Sequence, residues 1–507
     1  MKTNILNSRK MTKKLLILVF VVIVPLTSIA QFSGGSGKEN DPYIITTAVE
    51  LAQLATYVNE GTTPYANANV HYKLNNNIDL SDYQTDKGWT PIGRYPYPND
   101  YSFKGVFDGN GKKITKLTIN DSTFRYVGLF GRTYNATVKN LGIEDVNIVA
   151  SSPRFSTSRN TGGVVGQNVE SSISNCYVIG TISSSATSVT NAYCPSFAGG
   201  IVGQNVESSI SNCYSEGSVY SHTSAFYTPI PPFSYAGGIV GYNLDGSVSN
   251  CYSTSSVTAS SGRASGAVAG GIVGGNHGNV SYCYATGSVS SSSLALSTVR
   301  SRAGGVVGYN SSGSASVSNC AALNPNIRLN CLGNTDNSCG RVAGNNNGTL
   351  TNNIAFSEML NPDNGITWNN KGATQIDGED ISKQAINADG SLGGLFTNSV
   401  WTTANSKLPG LFGQTVNMPA HLSLDVEITN IILSQIAIYP NPTTNSFFIE
   451  CENITAIKLY DMLGREVLTQ AANTNTEVNI SHLPKGVYGI RILSGDKVIG
   501  NKKIVKY

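Results

Sequence analysis

A two-part phrase that returns about every 35 residues limits what this chain can fold into. Gly162-Gly163-Val164-Val165-Gly166-Gln167-Asn168 leads into Ile173-Ser174-Asn175-Cys176-Tyr177. The phrase reopens at Gly199, Gly237, Gly270 and Gly304, with Cys213, Cys251, Cys283 and Cys320 in the cysteine slot. Worn copies flank the run. Gly128-Leu129-Phe130-Gly131 precedes it, and Gly340-Arg341-Val342-Ala343-Gly344 follows it, with Asn353 in place of the cysteine. Self-similarity at such a period marks a stacked array whose units bury their apolar edges against one another. With 53 glycines to interrupt helices and only 13% charged residues, the stacked element is β-strand.

Within a repeat, Ile210 and Cys213 are both expected to point inward, yet they lie three apart where a strand alternates every two. A bend is therefore predicted at Ser211-Asn212. Asn suits it, because it tolerates left-handed backbone and its amide can bond the next rung. Gly180 and Gly217 are predicted to turn a further corner, giving triangular coils. The stretch from Gly199 to Val219 is 21 residues, roughly 70 Å of extended chain, a reasonable circumference for one coil. The residues that follow it differ in every copy and read either as excursions or as a second, looser rung.

The formal net charge is +3 with no dense basic stripe, so the chain lacks the electrostatic footprint of a nucleic-acid partner. Lys13 and Lys14 precede an apolar run from Leu15 to Leu26 and the small residues of Ser28-Ile29-Ala30. This is the pattern of a signal peptide cleaved between Ala30 and Gln31. Of nine cysteines, five hold the repeat slot. In register on parallel rungs, Cys176, Cys213, Cys251, Cys283 and Cys320 point the same way. That suits a buried thiol ladder better than disulfides, whose side chains must face each other, or metal ligands. Cys331 and Cys339, outside that slot, form the candidate disulfide.

Ahead of the repeats, Val49, Leu51, Leu54, Ala55 and Val58 fall at helical spacing, with Thr46 or Thr47 placed to cap. A short amphipathic helix there would shield the open first rung. After the repeats, Trp368, Phe396, Trp401, Leu411 and Phe412 follow no period. The organisation expected is 1–30 signal peptide, 31–125 N-terminal cap and entrance coils, 126–355 repeat solenoid, 356–413 irregular C-terminal cap, 414–434 linker and 435–507 a separate module. In that module, Tyr488, Ile490 and Ile492 alternate with Val487, Gly489 and Arg491, and Pro-Asn-Pro and Pro-Lys-Gly supply turns. A small β-sandwich follows.

The repeats resemble the GLUG repeat family, whose units occur in exported and surface proteins of bacteria. The resemblance spans roughly residues 31–412 and implies a parallel, right-handed β-solenoid without fixed catalytic residues. The last 70 residues resemble the type A C-terminal sorting domain of the type IX secretion system of Bacteroidetes. The matching positions are Tyr439-Pro440-Asn441-Pro442, Gly464 in Gly464-Arg465-Glu466-Val467, Leu483-Pro484-Lys485-Gly486-Val487-Tyr488, and Lys502-Lys503. That resemblance implies recognition by the type IX secretion machinery, removal of the domain, and either attachment to surface lipopolysaccharide or release. The protein is thus expected at the outer-membrane cell surface or secreted. The full fold class expected is all-β, a parallel β-solenoid (right-handed β-helix) with an N-terminal capping helix and a C-terminal β-sandwich.

Chemistry is sparse. The five histidines are far apart and form no His-Glu-x-x-His pair, and no nucleophile elbow or phosphate loop is present. No catalytic, metal or cofactor residue is assigned, and an enzyme is not expected. The rival reading is a polysaccharide lyase or hydrolase on a β-helix scaffold, for which Glu170 and Glu207, equivalent in adjacent copies, are the carboxylates to watch. For binding, Tyr177, Tyr214, Tyr252 and Tyr284 follow the cysteine and should line one outer face. The proline-stiffened loop from Tyr220 to Tyr235, with Phe226, Tyr227, Phe233 and Tyr235, is the other candidate contact. The function expected is adhesion to a glycan or host-surface ligand.

Overall fold

The computed structural model describes residues 32–507 apart from Tyr97, 153–157, 189–192, 226–230, 263–264, 295–299, 332–337, 363–366, 425–435, Asn453 and Asp496. The Ala30–Gln31 junction and the candidate contacts Phe226 and Tyr227 lie outside the described residues. The chain divides into two compact units, Met1–Leu422 and Ser423–Tyr507.

The first unit is a parallel β-solenoid. One coil shows the plan. Val202–Val206 forms a first face, Ser209–Ser211 and Tyr214–Ala225 a broad second face, and Phe233–Gly237 a third that leads into the next coil at Val240. The first and third faces each stack seven strands, from Phe130–Tyr134 to Ala343–Asn346 and from Tyr126–Val127 to Ser338–Gly340. The broad face begins earlier, with Tyr43–Ile45 paired to His71–Leu74, and continues to Glu379–Ile381. Equivalent residues in neighbouring coils are 33 to 38 positions apart, so each repeat is a single coil. The 21-residue circumference expected from sequence is too short, because the strand beyond Gly217 runs on to Ala225 and the chain must return along the third face before closing.

Three features make this sequence coil. Corners fall where left-handed backbone is tolerated: Asn140, Asn175, Asn212, Asn250 and Asn319 all have φ between 51° and 56°. The Asn175 amide donates to Asn140 Oδ1 at 3.0 Å and the Asn212 amide to Asn175 at 3.1 Å, tying corner to corner. A second, buried asparagine row threads the interior, each amide donating to the next: Asn168 to Asn205, Asn205 to Asn243, Asn243 to Asn276, and Asn276 to Asn310, all at 2.8–2.9 Å. The second glycine of each phrase is a packing requirement. A Cβ on Gly200, Gly238, Gly271 or Gly305 would sit 2.0–2.2 Å from the carbonyl oxygen of its counterpart one coil on. In the last coil that constraint lapses and Arg341 takes the place. Its buried guanidinium binds Asp380 at 2.6 Å and the carbonyls of Phe356, Asp377 and Gly378.

Helix α1, Ala48–Glu60, precedes the entrance coils with a capping box between Thr47 and Glu50 and a left-handed Gly61 at its end. Leu51, Leu54, Ala55 and Val58 face the core, whereas Val49, expected with them, is 70% exposed. Residues beyond the last coil turn back along the flank of the solenoid, so that this segment covers a side as well as an end. Residues 414–422, expected as linker, belong to this packing. Val416–Asn417 pairs with Lys407–Leu408, Leu422 is buried, and its carbonyl accepts from Asn387. No periodic pattern marks the segment, but tertiary contacts hold it.

The second unit packs a three-stranded sheet (Ala437–Tyr439, Ser446–Glu450, Asn475–Asn479) with a four-stranded one (Glu466–Ala471, Ala456–Tyr460, Gly486–Ser494, Lys497–Lys506) around Phe447, Ile457, Leu459, Ile490 and Ile504. Asn441 of the Pro-Asn-Pro turn brackets the final strand, donating to Lys503 O and accepting from Val505 N. Tyr488 closes the Pro-Lys-Gly turn through its hydroxyl, which donates to Pro484 O at 2.6 Å. Gly464 turns with φ 79°. Lys502 and Lys503 remain partly or fully exposed, whereas Lys506 is buried with its ammonium donating to the carbonyls of Ile480, Ser481 and Leu483.

Candidate functional site

The cysteine slot is interior. Cys176, Cys213, Cys251, Cys283 and Cys320 are all fully buried, and burial pushes the thiols of Cys176, Cys213, Cys251 and Cys283 well up. Cys339 is buried in register with Ala303, while the side chain of Cys331 lies outside the described residues.

The tyrosines that follow the cysteines form a stack, with ring centroids 4.8–5.1 Å apart and planes within 5°. Their assignment to an open binding face is corrected by what lies on them. Tyr252 and Tyr284 are buried beneath the returning segment. Trp401 sits 5.9 Å from Tyr284, Phe412 sits 5.9 Å from Tyr214, and the Tyr284 hydroxyl donates to Pro409 O at 2.6 Å. Tyr177 and Tyr214 are half-buried. A stack of apolar rings gains by being covered, and this chain supplies the cover itself.

A second aromatic row, with Phe197 buried and Tyr235, Tyr242 and Tyr309 partly exposed, lies where the first and third faces meet. Phe197 and Tyr235 are register partners on the third face and stack at 5.4 Å. From the first face Tyr242 projects against both, 5.3 Å from Phe197 and 5.0 Å from Tyr235. Gly275 leaves room for these rings, since a Cβ there would come within 2.8 Å of Tyr235 and Tyr242. The row continues through His277 to Tyr309, over which the Arg302 guanidinium lies 4.1 Å from the ring centre. In the other direction it passes to amides. Gln204 Oε1 accepts from Gln167 at 2.8 Å and from Asn160 at 2.7 Å, and Gln167 in turn accepts from Arg132. A cavity of about 440 Å³ opens here, lined by Arg125, Tyr193, Phe197, Gln204, Tyr235 and Tyr242. Burial raises the Tyr242 hydroxyl to about 12 and holds His277 below its ordinary value, so both are neutral donors or acceptors at pH 7. Phe233, half-buried, adds its ring 5.9 Å from Tyr235. Sequence reasoning reached Phe233 and Tyr235 as loop residues but missed Phe197, Tyr242 and Tyr309. Tyr242 and Tyr309 occupy the glutamine position of the phrase, a signal visible only once that position is known to face out.

On the opposite edge of the first face, Glu170, Glu207 and Asp245 occupy successive left-handed corners (φ 46–52°) beside a wide depression of about 540 Å³. Among the described residues no group of three or more His, Cys, Asp or Glu is placed to hold a metal ion.

Fold and tail together define an exported β-solenoid protein of the cell surface or the secreted fraction. The chain carries GLUG repeats and a secretion-system sorting tail. The GLUG motif matches residues 157–183, 198–220, 234–258 and 300–328, and "Secretion system C-terminal sorting domain" matches residues 437–506. The coil opened by Gly270 lies outside the matched segments yet stacks in register with its neighbours. Two curated relatives match in part. "Putative Gly-rich membrane protein" of Evansella cellulosilytica is 35% identical over 134 residues, 25% of this chain and 14% of that protein. "Halomucin" of Haloquadratum walsbyi is 32% identical over 150 residues, 26% of this chain and 2% of that protein. The chain therefore spans a small fraction of the length of either. Two solved structures are similar in outline. One is a "putative immunoglobulin A1 protease from Bacteroides ovatus" (TM-score 0.47, 20% identity, covering 76% of this chain and 96% of that one). The other is an "IgA1 Protease" (TM-score 0.41, 13% identity, 77% and 27%).

Proposed function

We propose that this protein is a surface adhesin that binds extended glycans or a glycosylated host surface along the aromatic groove between its first and third faces. The observation that carries the proposal is the continuous row from Gln167 and Gln204 through Phe197, Tyr235 and Tyr242 to Tyr309 and Arg302. Flat aromatic faces stack on the C–H faces of sugar rings, and fixed amides and a guanidinium supply directional partners for hydroxyls. In this reading a signal peptide ending at Ala30 starts export, the type IX machinery recognises the tail, and surface lipopolysaccharide or the medium receives the remainder. The source is a member of the Bacteroidetes.

The test is a glycan and host-matrix array probed with the mature chain and with Tyr242→Ala and Phe233→Ala, followed by product analysis of each hit. Retention of an intact glycan, lost in Tyr242→Ala, is expected. Shortened or unsaturated products would replace adhesion with the second reading, a carbohydrate-active enzyme, which the carboxylate row of Glu170, Glu207 and Asp245 favours.

A further inference from the structure

A larger cavity, about 650 Å³, lies between α1 and the entrance coils. Its size is within the range of small-molecule sites, about 300–1,000 Å³. The floor is built and rigid. Trp89 is 1% exposed, with its indole N–H donating to Leu129 O at 3.1 Å. Asn59, near the end of α1, donates to Pro91 O and accepts from Gly93 N, both at 2.9 Å, which locks the helix to the loop that forms one wall. The Asn59 carbonyl accepts from Arg94 Nε at 2.9 Å, fixing that guanidinium at the wall. Tyr95, 38% exposed, offers a ring whose orientation is held by Arg132, 4.9 Å from its centre. Arg125 lines both this cavity and the aromatic groove. The charged lining is thus Arg94 and Arg125 against the single carboxylate of Glu60.

We propose that this cavity is a subsite for one anionic sugar ring, carboxylated or sulfated, at the end of the groove. An aromatic face beside two guanidinium groups matches a pyranose that carries one acidic substituent. The forked donors of arginine fit carboxylate and sulfate oxygens in pairs, and the ring stacks on tyrosine. A neutral sugar would leave one of the two arginine charges unmatched, since Glu60 supplies a single carboxylate to the described lining. The proposal rests on the glycan reading of the groove, but different residues carry it: Arg94 and Tyr95 line the cavity and not the groove, and Tyr242 lines the groove and not the cavity.

The experiment is calorimetric titration of the mature full-length chain with methyl glucuronide, glucose 6-sulfate and methyl glucoside. The wild type is compared with Arg94→Lys, Tyr95→Ala, Glu60→Gln and Tyr242→Ala, each confirmed folded by circular dichroism. The glucuronide or the sulfate is expected to bind about tenfold or more tightly than the neutral glucoside, and the stronger of the two identifies the acidic group. Arg94→Lys and Tyr95→Ala should weaken it about tenfold, Glu60→Gln should tighten it, and Tyr242→Ala should leave it unchanged. Equal binding of the neutral sugar, or indifference to Arg94 and Tyr95, overturns the subsite. If long glycans on the array still depend on Tyr242 in that case, the groove stands alone. If the small anionic sugars bind as expected while no glycan on the array is retained, the subsite stands and the groove reading falls.

Discussion

Replacing Asn205 by Leu tests whether the buried asparagine row holds the coils together. Asn205 is fully buried, its amide donates to Asn243 Oδ1 and to Ser208 O at 2.9 Å each, and its oxygen accepts from the Asn168 amide at 2.9 Å. Leucine is close in volume and removes all three bonds. Ser208 O keeps the Ser247 N–H as donor, so two groups are orphaned in the interior, the Asn168 amide and Asn243 Oδ1. Each orphan costs about 1–3 kcal/mol. The added apolar burial returns about 1 kcal/mol. The net loss is then about 3 kcal/mol, concentrated in the coils on either side of the substitution. Hydrogen exchange read by mass spectrometry resolves this coil by coil: amides of residues 199–249 should exchange about a hundredfold faster, while distant coils change little. Asn346→Leu is the internal control. It sits half-buried at the end of the row, accepting from Asn310 and donating to Gly348 O, and should cost about 1 kcal/mol. Equal effects at the two positions, or a loss below about 1 kcal/mol at Asn205, would refute the argument that the row is a chain of mutually dependent buried bonds.

Gly238→Ala puts a Cβ 2.1 Å from Gly271 O and should cost about 3 kcal/mol or more in thermal unfolding. Arg341→Gly, at the equivalent place in the last coil, should leave the coils stacked and loosen only the segment held by Asp380. The five ladder cysteines should be inert to a thiol reagent in the folded protein and react together on unfolding in urea, and reaction under native conditions would contradict their burial. Burial holds the His421 imidazole below its ordinary value while Nε2 donates to Leu323 O at 2.8 Å. Because the unfolded chain takes up that proton more readily, the stabilisation is whole above about pH 6.5 and is lost as pH falls from there through the lower folded-state value. Protection factors of residues 416–422, corrected for the intrinsic pH dependence of amide exchange, should fall between pH 7 and pH 5, and His421→Gln should flatten that fall.

The repeating coil is written into the chain itself. Its glycines, corner asparagines and cysteine slot are local requirements of one rung, and repetition writes each of them several times, so the parallel solenoid and the sandwich tail were legible from spacing and alternation. The N-terminal helix was legible for the same reason, since its capping box and apolar stripe lie within fourteen consecutive residues, Thr47 to Glu60. What the tertiary structure alone decided is which surfaces stay open. The tyrosine stack and the groove have the same kind of residues at the same period. Only the fold reveals that Pro409 and Trp401, more than a hundred residues downstream, close the stack over Tyr284 and Tyr252. The groove arises where two faces meet at an angle, bringing Phe197 and Tyr242 together across 45 positions of sequence. Such pairings depend on the circumference of the coil and on where the chain returns, both set by packing across rungs and by nothing a single rung encodes.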